Sequence, residues 1–131
     1  MTLLLDTHAF LWWLDGSRKL GRRARRSIEA AEASVWVSAA TAWEIAIKAG
    51  FGRLSLDEPP DVCLPREIER SRFQPLAITV AHALAAGTLP PHHADPFDRV
   101  LVAQAEAEGL ILVTADTIFE RYDIRTLDAR V

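Results

Sequence analysis

The sequence predicts an α/β protein, a mostly parallel sheet with helices on both faces. Three observations carry that prediction. Strand-like and helix-like segments alternate from end to end. The strand-like segments are continuous apolar runs rather than in/out alternations, as expected of strands covered on both sides. The chain has 131 residues, 50% of them hydrophobic, enough for one domain (1–131) with a real core.

In chain order, "TLLLD" (2–6) is a short apolar run ending in an acid and predicts a buried strand. "THAFLWWL" follows as a short helix. Residues 19–32 predict a second helix, with Leu20, Ala24, Ile28 and Ala31 at helical spacing on its core face. "SVWVS" (34–38) predicts a strand, and "AATAWEIAIKAGFG" (39–52) a helix ended near Gly50 or Gly52. A helix is expected within 61–72, then "PLAI" (75–78) as a strand and "TVAHALAAG" (79–87) as a helix. "LPPHHA" (89–94) is a loop, and 96–108 a helix closed by Gly109. "LILVTAD" (110–116) is the clearest strand, followed by a short helix "TIFERY" and a last strand near 124–127.

Composition excludes several classes. No apolar run approaches the roughly 18–20 residues that span a bilayer. The apolar start lacks a basic region and is interrupted by Asp6, so a secretory signal is not expected. Cys63 is the only cysteine, which rules out a disulfide framework or a cysteine zinc site. A cytoplasmic protein is the simplest reading. The net charge of −3 argues mildly against nucleic acid, but "RKLGRRARR" (18–26) holds six basic residues in nine. That run is either a solvated helix face or a phosphate-contacting one.

In open parallel sheets, ligands bind beyond the carboxyl ends of the strands, where strand order reverses. Asp6 and Asp116 end two predicted strands, and Asp98 lies in the first turn of the helix 96–108. Glu44 sits more than a turn into its helix. Each acid has a local explanation. Asp6 and Asp116 could cap the helices that follow them, and Asp95 before Pro96 is a good N-cap. Asp98 would then favour the helix dipole, and Glu44 stands four residues before Lys48. Capping does not explain Glu44 between Trp43 and Ile45, nor the convergence of four acids on one end of the sheet. Four unpaired carboxylates in one cleft repel each other, and a divalent cation offsets that cost. An oxygen-only set suits Mg²⁺ or Mn²⁺ better than zinc.

The chain resembles the PIN-domain ribonucleases, most closely the VapC toxins of prokaryotic toxin–antitoxin pairs. The matching stretches are "LLLDTHAFLW" (3–12), "SAATAWEIAIKAGFGRL" (38–54), "DPFDRVLVAQA" (95–105) and "LVTAD" (112–116), in the family's order. The resemblance implies a three-layer α/β/α fold with a five-stranded sheet in the order 3-2-1-4-5. It implies a metal-dependent endoribonuclease whose site acids are Asp6, Glu44, Asp98 and Asp116, holding one or two Mg²⁺ or Mn²⁺ ions. It also implies an RNA substrate, a homodimer and a small VapB-like antitoxin.

Around those acids, Asp95 is expected to cap the helix. Thr7 and Thr114 orient carboxylates or water, or else make only local hydrogen bonds at strand ends. Arg99 contacts phosphate or pairs with Asp95, and the pair is the expectation. Setting the four acids aside turns the net charge of −3 into +1, and Arg22, Arg23, Arg25 and Arg26 are candidates for RNA phosphate contacts. His8, His92 and His93 are expected to be bystanders and His82 structural. Of the adjacent Trp12 and Trp13, one is expected in the core and the other exposed with Phe10 or Leu14, as a partner surface.

Two other readings stay open. An aspartate-nucleophile phosphatase also places an acid after its first strand, but it wants a second aspartate where this chain has His8. A non-catalytic module for RNA or protein binding could keep the same fold.

Overall fold

A computed structural model describes all residues, 1–131. Five strands form one sheet: β1 (Thr2–Leu5), β2 (Ser34–Ser38), β3 (Gln74–Leu76), β4 (Ile111–Thr114) and β5 (Thr126–Asp128). Their order is β3-β2-β1-β4-β5, and every neighbouring pair is parallel. The chain thus winds outward from β1 in both directions, and the switch point lies between β1 and β4. Six helices cover the sheet: α1 (Thr7–Asp15), α2 (Arg22–Glu29), α3 (Ala39–Gly50), α4 (Pro60–Arg70), α5 (Val80–Gly87) and α6 (Pro96–Glu108).

The period of two along β1 divides the core. Leu3 and Leu5 face a cluster built with Phe10 of α1, Ile28 of α2 and Leu64 of α4. Leu4 faces the other side, against Leu101 and Val102 of α6 and Leu112 of β4. All three leucines are fully buried. The outer helix α5 packs on α6. This two-sided burial is why the strands read as unbroken apolar runs.

Several expectations are corrected. The helix predicted over 19–32 is only α2, Arg22–Glu29, and Ala31 is exposed rather than core. The start is set by tertiary contact, because the Gly21 N–H donates to the Ala129 carbonyl at 2.8 Å. A Cβ on Gly21 would lie 2.3 Å from the Val131 backbone, so only glycine allows that approach. The segment 117–122 forms a 3-10 turn, Thr117–Arg121, instead of an α-helix. Trp12 and Trp13 are both half-buried against the core, and Phe10 is fully buried. Trp13 donates to Ser71 Oγ at 3.0 Å and packs at a tilt against Phe73, with ring centres 5.4 Å apart. The exposed aromatics are instead Trp43 and Phe51. No helix is long and apolar enough to cross a membrane.

Candidate active site

Four acids gather at the carboxyl end of the sheet, each placed by a different element. Asp6 follows β1 directly, and its N–H donates to the Val113 carbonyl at 3.0 Å, extending the β1–β4 contact by one residue. Its Oδ1 caps α1 by accepting from the Ala9 N–H at 2.8 Å. Its Oδ2 accepts from the Thr114 hydroxyl at 2.6 Å. The same Thr114 oxygen accepts from the Asp116 N–H at 3.0 Å, so one hydroxyl ties together the acids of neighbouring strands. Asp116 is exposed and caps the 3-10 turn through the Ile118 N–H at 3.0 Å. Burial pushes the Asp6 carboxyl up, although the hydrogen bonds from Thr114 and Ala9 oppose that shift.

Glu44 is buried on α3. Its Oε1 accepts from the Thr7 hydroxyl at 2.6 Å, and its Oε2 from Lys48 Nζ at 2.6 Å. Thr41 lies 3.3 Å from the Thr7 oxygen. Thr7 has one hydroxyl proton, which goes to Glu44, so Thr41 donates to Thr7 and completes a relay.

Asp98 lies in the first turn of α6, where Asp95 Oδ1 accepts its N–H at 3.0 Å. Its carboxyl is pushed up to about 7, first by burial and then by the negative charges of Asp95, Asp6, Glu44 and Asp116. The fields of the other three acids therefore reach Asp98. Asp6, Asp95 and Asp116 each cap the helix or turn that follows, and the charges of Asp6, Glu44 and Asp116 also act on Asp98.

The donor set fits a hard divalent cation, since it is oxygen-only and already strained by like charge. As the side chains stand, no three His, Cys, Asp or Glu groups are arranged to hold an ion. Asp6 and Glu44 have both oxygens engaged, so an ion would compete with Thr114, Thr7 or Lys48 for them.

Arg99 departs from expectation and does not pair with Asp95. Its guanidinium donates to the carbonyls of Leu89, Pro90 and His93 at 3.0–3.3 Å. The Leu89 and His93 carbonyls of this irregular loop have no backbone donor, and the two Nη groups of Arg99 supply one to each while adding a second bond to Pro90 beside that from the His92 N–H. Arg25 is also committed, with its guanidinium 5.5 Å over the Trp13 ring and an Nη2 contact to the Ser17 carbonyl at 3.3 Å. Arg22, Arg23 and Arg26 remain exposed on α2. They share one surface with Met1 and Val131, so Arg22, Arg23 and Arg26 line the amino end of β1 rather than the carboxyl end where the acids gather.

His82 is structural: it is buried, completes a capping box with Thr79 and contacts Glu108 at 3.3 Å. His8 is exposed, and His92 packs edge-on against Tyr122. Sequence reasoning did not single out Thr41 or Tyr122, and it weighed Lys48 only as a helix partner. Thr41 and Tyr122 bond to residues far away in sequence, Thr7 and His93, so nothing local marks them before the chain folds.

The fold and the site define a class of protein: a three-layer α/β/α domain with an acidic cluster at its switch point. The sequence matches the PIN domain family over residues 3–125, and the chain belongs to that family. It is 34% identical over 116 residues to Ribonuclease VapC22 of Mycobacterium tuberculosis (strain ATCC 25618 / H37Rv), covering 88% of this chain and 87% of that one. Its fold is similar to that in a structure of VapBC2 from Rickettsia felis bound to a promoter DNA fragment. There the TM-score is 0.72 at 18% identity, with 97% of this chain and 98% of the other covered. A toxin–antitoxin complex from Klebsiella pneumoniae matches with a TM-score of 0.65 at 18% identity, covering 97% of both chains. VapBC-1 from nontypeable Haemophilus influenzae matches with 0.64 at 17%, covering 98% of both.

Proposed function

We propose that this chain, as one PIN domain over 1–131, is a metal-dependent endoribonuclease and the toxin of a toxin–antitoxin pair. One observation carries the reading. Thr114 ties Asp6 to Asp116, Thr7 next to Asp6 holds Glu44, and the charges of these three acids add, after burial and Asp95, to the upward push on Asp98. Such a cluster is unfavourable without a cation, and membership of the PIN family supports the same conclusion. The name of the relative, a ribonuclease, points to RNA as the substrate.

In this reading Asp6, Glu44, Asp98 and Asp116 hold Mg²⁺ or Mn²⁺. The ion supplies Lewis acidity that activates water and offsets charge on the phosphate. The protein groups prepare for it. Thr114 and Thr7 fix the carboxylates of Asp6 and Glu44 in the manner of outer-shell partners, and an ion would share or displace those bonds as it binds. Lys48 neutralises Glu44 until a cation arrives. Arg22, Arg23 and Arg26 contact RNA phosphates and position the strand without reading its bases. Asp95 and Arg99 hold the start of α6 and the preceding loop.

The partners proposed are a VapB-like antitoxin, which blocks the acidic cleft with a basic side chain, and a second copy of this chain. The protein would act in the cytoplasm. The test is cleavage of RNA by the purified protein with Mg²⁺ or Mn²⁺ and with EDTA. Cleavage is expected only with metal, and undiminished cleavage in EDTA, with metal shown absent, overturns the mechanism.

A further inference from the structure

His93 was expected to be a bystander, and its surroundings say otherwise. The loop 89–94 that carries it is pinned by Arg99 through the Leu89, Pro90 and His93 carbonyls. The imidazole is mostly buried, with its edge against Phe119 at 5.8 Å between ring centres. Nδ1 lies 2.7 Å from the Tyr122 hydroxyl, and Tyr122 is itself buried. Nε2 is buried, has no hydrogen-bond partner and lies 3.5 Å from Asp98 Oδ2. No other side chain comes within ion-pair or hydrogen-bond distance of the Asp98 carboxylate, whereas Asp6 and Glu44 each have two donors.

We infer that His93 is the positioning residue for Asp98: held by Tyr122 and the Arg99 loop clamp, its Nε2–H aims the Asp98 carboxylate into the metal site. The tautomer follows from the contacts. A lone pair on Nε2 would face a carboxylate oxygen, so the proton belongs on Nε2. Nδ1 then accepts from the Tyr122 hydroxyl. The present 3.5 Å is one short movement from a hydrogen bond. The order Tyr122–His93–Asp98 has the form of an outer-shell chain, in which a histidine orients a carboxylate rather than touching the reacting atoms. Burying a polar nitrogen with no partner is costly, and this orphan is explained if Asp98 closes on it when the site is loaded.

The inference rests on the reading of Asp98 as a metal-site acid, and the experiment separates the two. Mn²⁺ alone is titrated into the intact protein and its variants, with binding followed by calorimetry or by the Mn²⁺ resonance signal. Asp98→Asn is the control for the reading: unchanged Mn²⁺ affinity there removes Asp98 from the metal site. His93→Phe keeps the ring packing but no donor, and should weaken Mn²⁺ binding about tenfold or more. His93→Gln restores a donor at the same reach and should recover most of that loss. Tyr122→Phe frees the tautomer and should weaken binding in the same direction by less. A folded His93→Phe variant that binds Mn²⁺ like the parent, while Asp98→Asn does not, overturns the inference. So does a Gln variant as weak as Phe, because ring packing alone would then be at stake. If His93→Phe fails to fold, Tyr122→Phe decides, and unchanged affinity there counts against the chain of contacts.

Discussion

The two halves of the acidic cleft are built differently. On the β1–α3 side, Asp6 and Glu44 are buried, and every carboxylate oxygen accepts a hydrogen bond. On the α6–β4 side, Asp116 is exposed and Asp98 has no hydrogen-bond donor, only an imidazole nitrogen at 3.5 Å. One half is satisfied before any cation binds, and the other is poised. The difference teaches where binding energy is stored. On the proposed reading, Asp6 and Glu44 would provide shape at the cost of burial, and Asp98 would provide affinity, because burial and like charge disfavour its ionised form until positive charge is near.

The largest effect that would break this comparison is on activity. Asp6→Asn, Glu44→Gln, Asp98→Asn and Asp116→Asn should each reduce RNA cleavage by more than about 100-fold, the upper end for losing a mere outer-shell partner of a metal ligand. Circular dichroism should show each variant folded. If all four keep cleaving, the acids are misassigned.

Next comes stability against pH, which sharpens the contrast directly. The Asp98 carboxyl titrates near 3.8 without its folded surroundings and at about 7 within them. Its contribution to stability is therefore complete below pH 3.8 and is lost as pH rises through about 7. Asp6 acts in the same direction, since its carboxyl is also raised. In EDTA, Asp98→Asn should melt with the parent near pH 4 and above it at pH 8, by roughly 4 °C per kcal/mol recovered. Saturating Mn²⁺ should reverse the order at pH 8, because only the parent gains the full binding energy. Parallel melting curves across pH would mean that Asp98 is not under strain.

On the satisfied side, Thr114→Val removes the donor to Asp6 Oδ2 and the acceptor of the Asp116 N–H. Chemical denaturation should show a cost of about 1.5–3 kcal/mol, the range for hydrogen bonds to charged groups. A loss near zero would mean that the short Thr114–Asp6 bond is not formed in solution.

Asp95→Ala should cost about 0.5–2 kcal/mol by uncapping α6, and Asp95→Ser should restore most of it. Asp98→Ser should restore no activity, because a hydroxyl is a poor metal ligand. Cleavage rates for the two serine variants would show at once if the wrong aspartate of "DPFD" had been assigned.

The smallest effect belongs to Lys48→Met. The lysine is 38% exposed, so its pair with Glu44 should contribute only about 0.5 kcal/mol. A much larger loss in thermal melting would reveal that Thr7 alone cannot satisfy Glu44.

Much of this architecture was written locally. Continuous apolar runs such as "TLLL" and "ILVT" need burial on both faces, so their alternation with helices already demanded a covered parallel sheet. Asp95 before Pro96, and Gly109 at φ 66°, set the ends of α6 through backbone chemistry that needs no distant partner. Asp6, Asp98 and Asp116 could be placed because carboxylates after strands and at helix starts fall on one end of such a sheet, whereas Glu44, in the middle of α3, carried no such signal.

Contacts between residues far apart in sequence decided the rest. Helix α2 is shorter than its periodicity because Gly21 is docked against Ala129. Arg99 abandons the nearby Asp95 for three loop carbonyls, of which Leu89 and His93 have no backbone donor. Thr114 reaches Asp6 across 108 residues, and Tyr122 reaches His93 across 29. Local sequence determines where a chain turns and which residue types arrive at the switch point. Asp6 Oδ1 and Glu44 Oε2 find partners three and four residues away, but Asp6 Oδ2 and Glu44 Oε1 are satisfied by Thr114 and Thr7, which only packing brings within 3 Å.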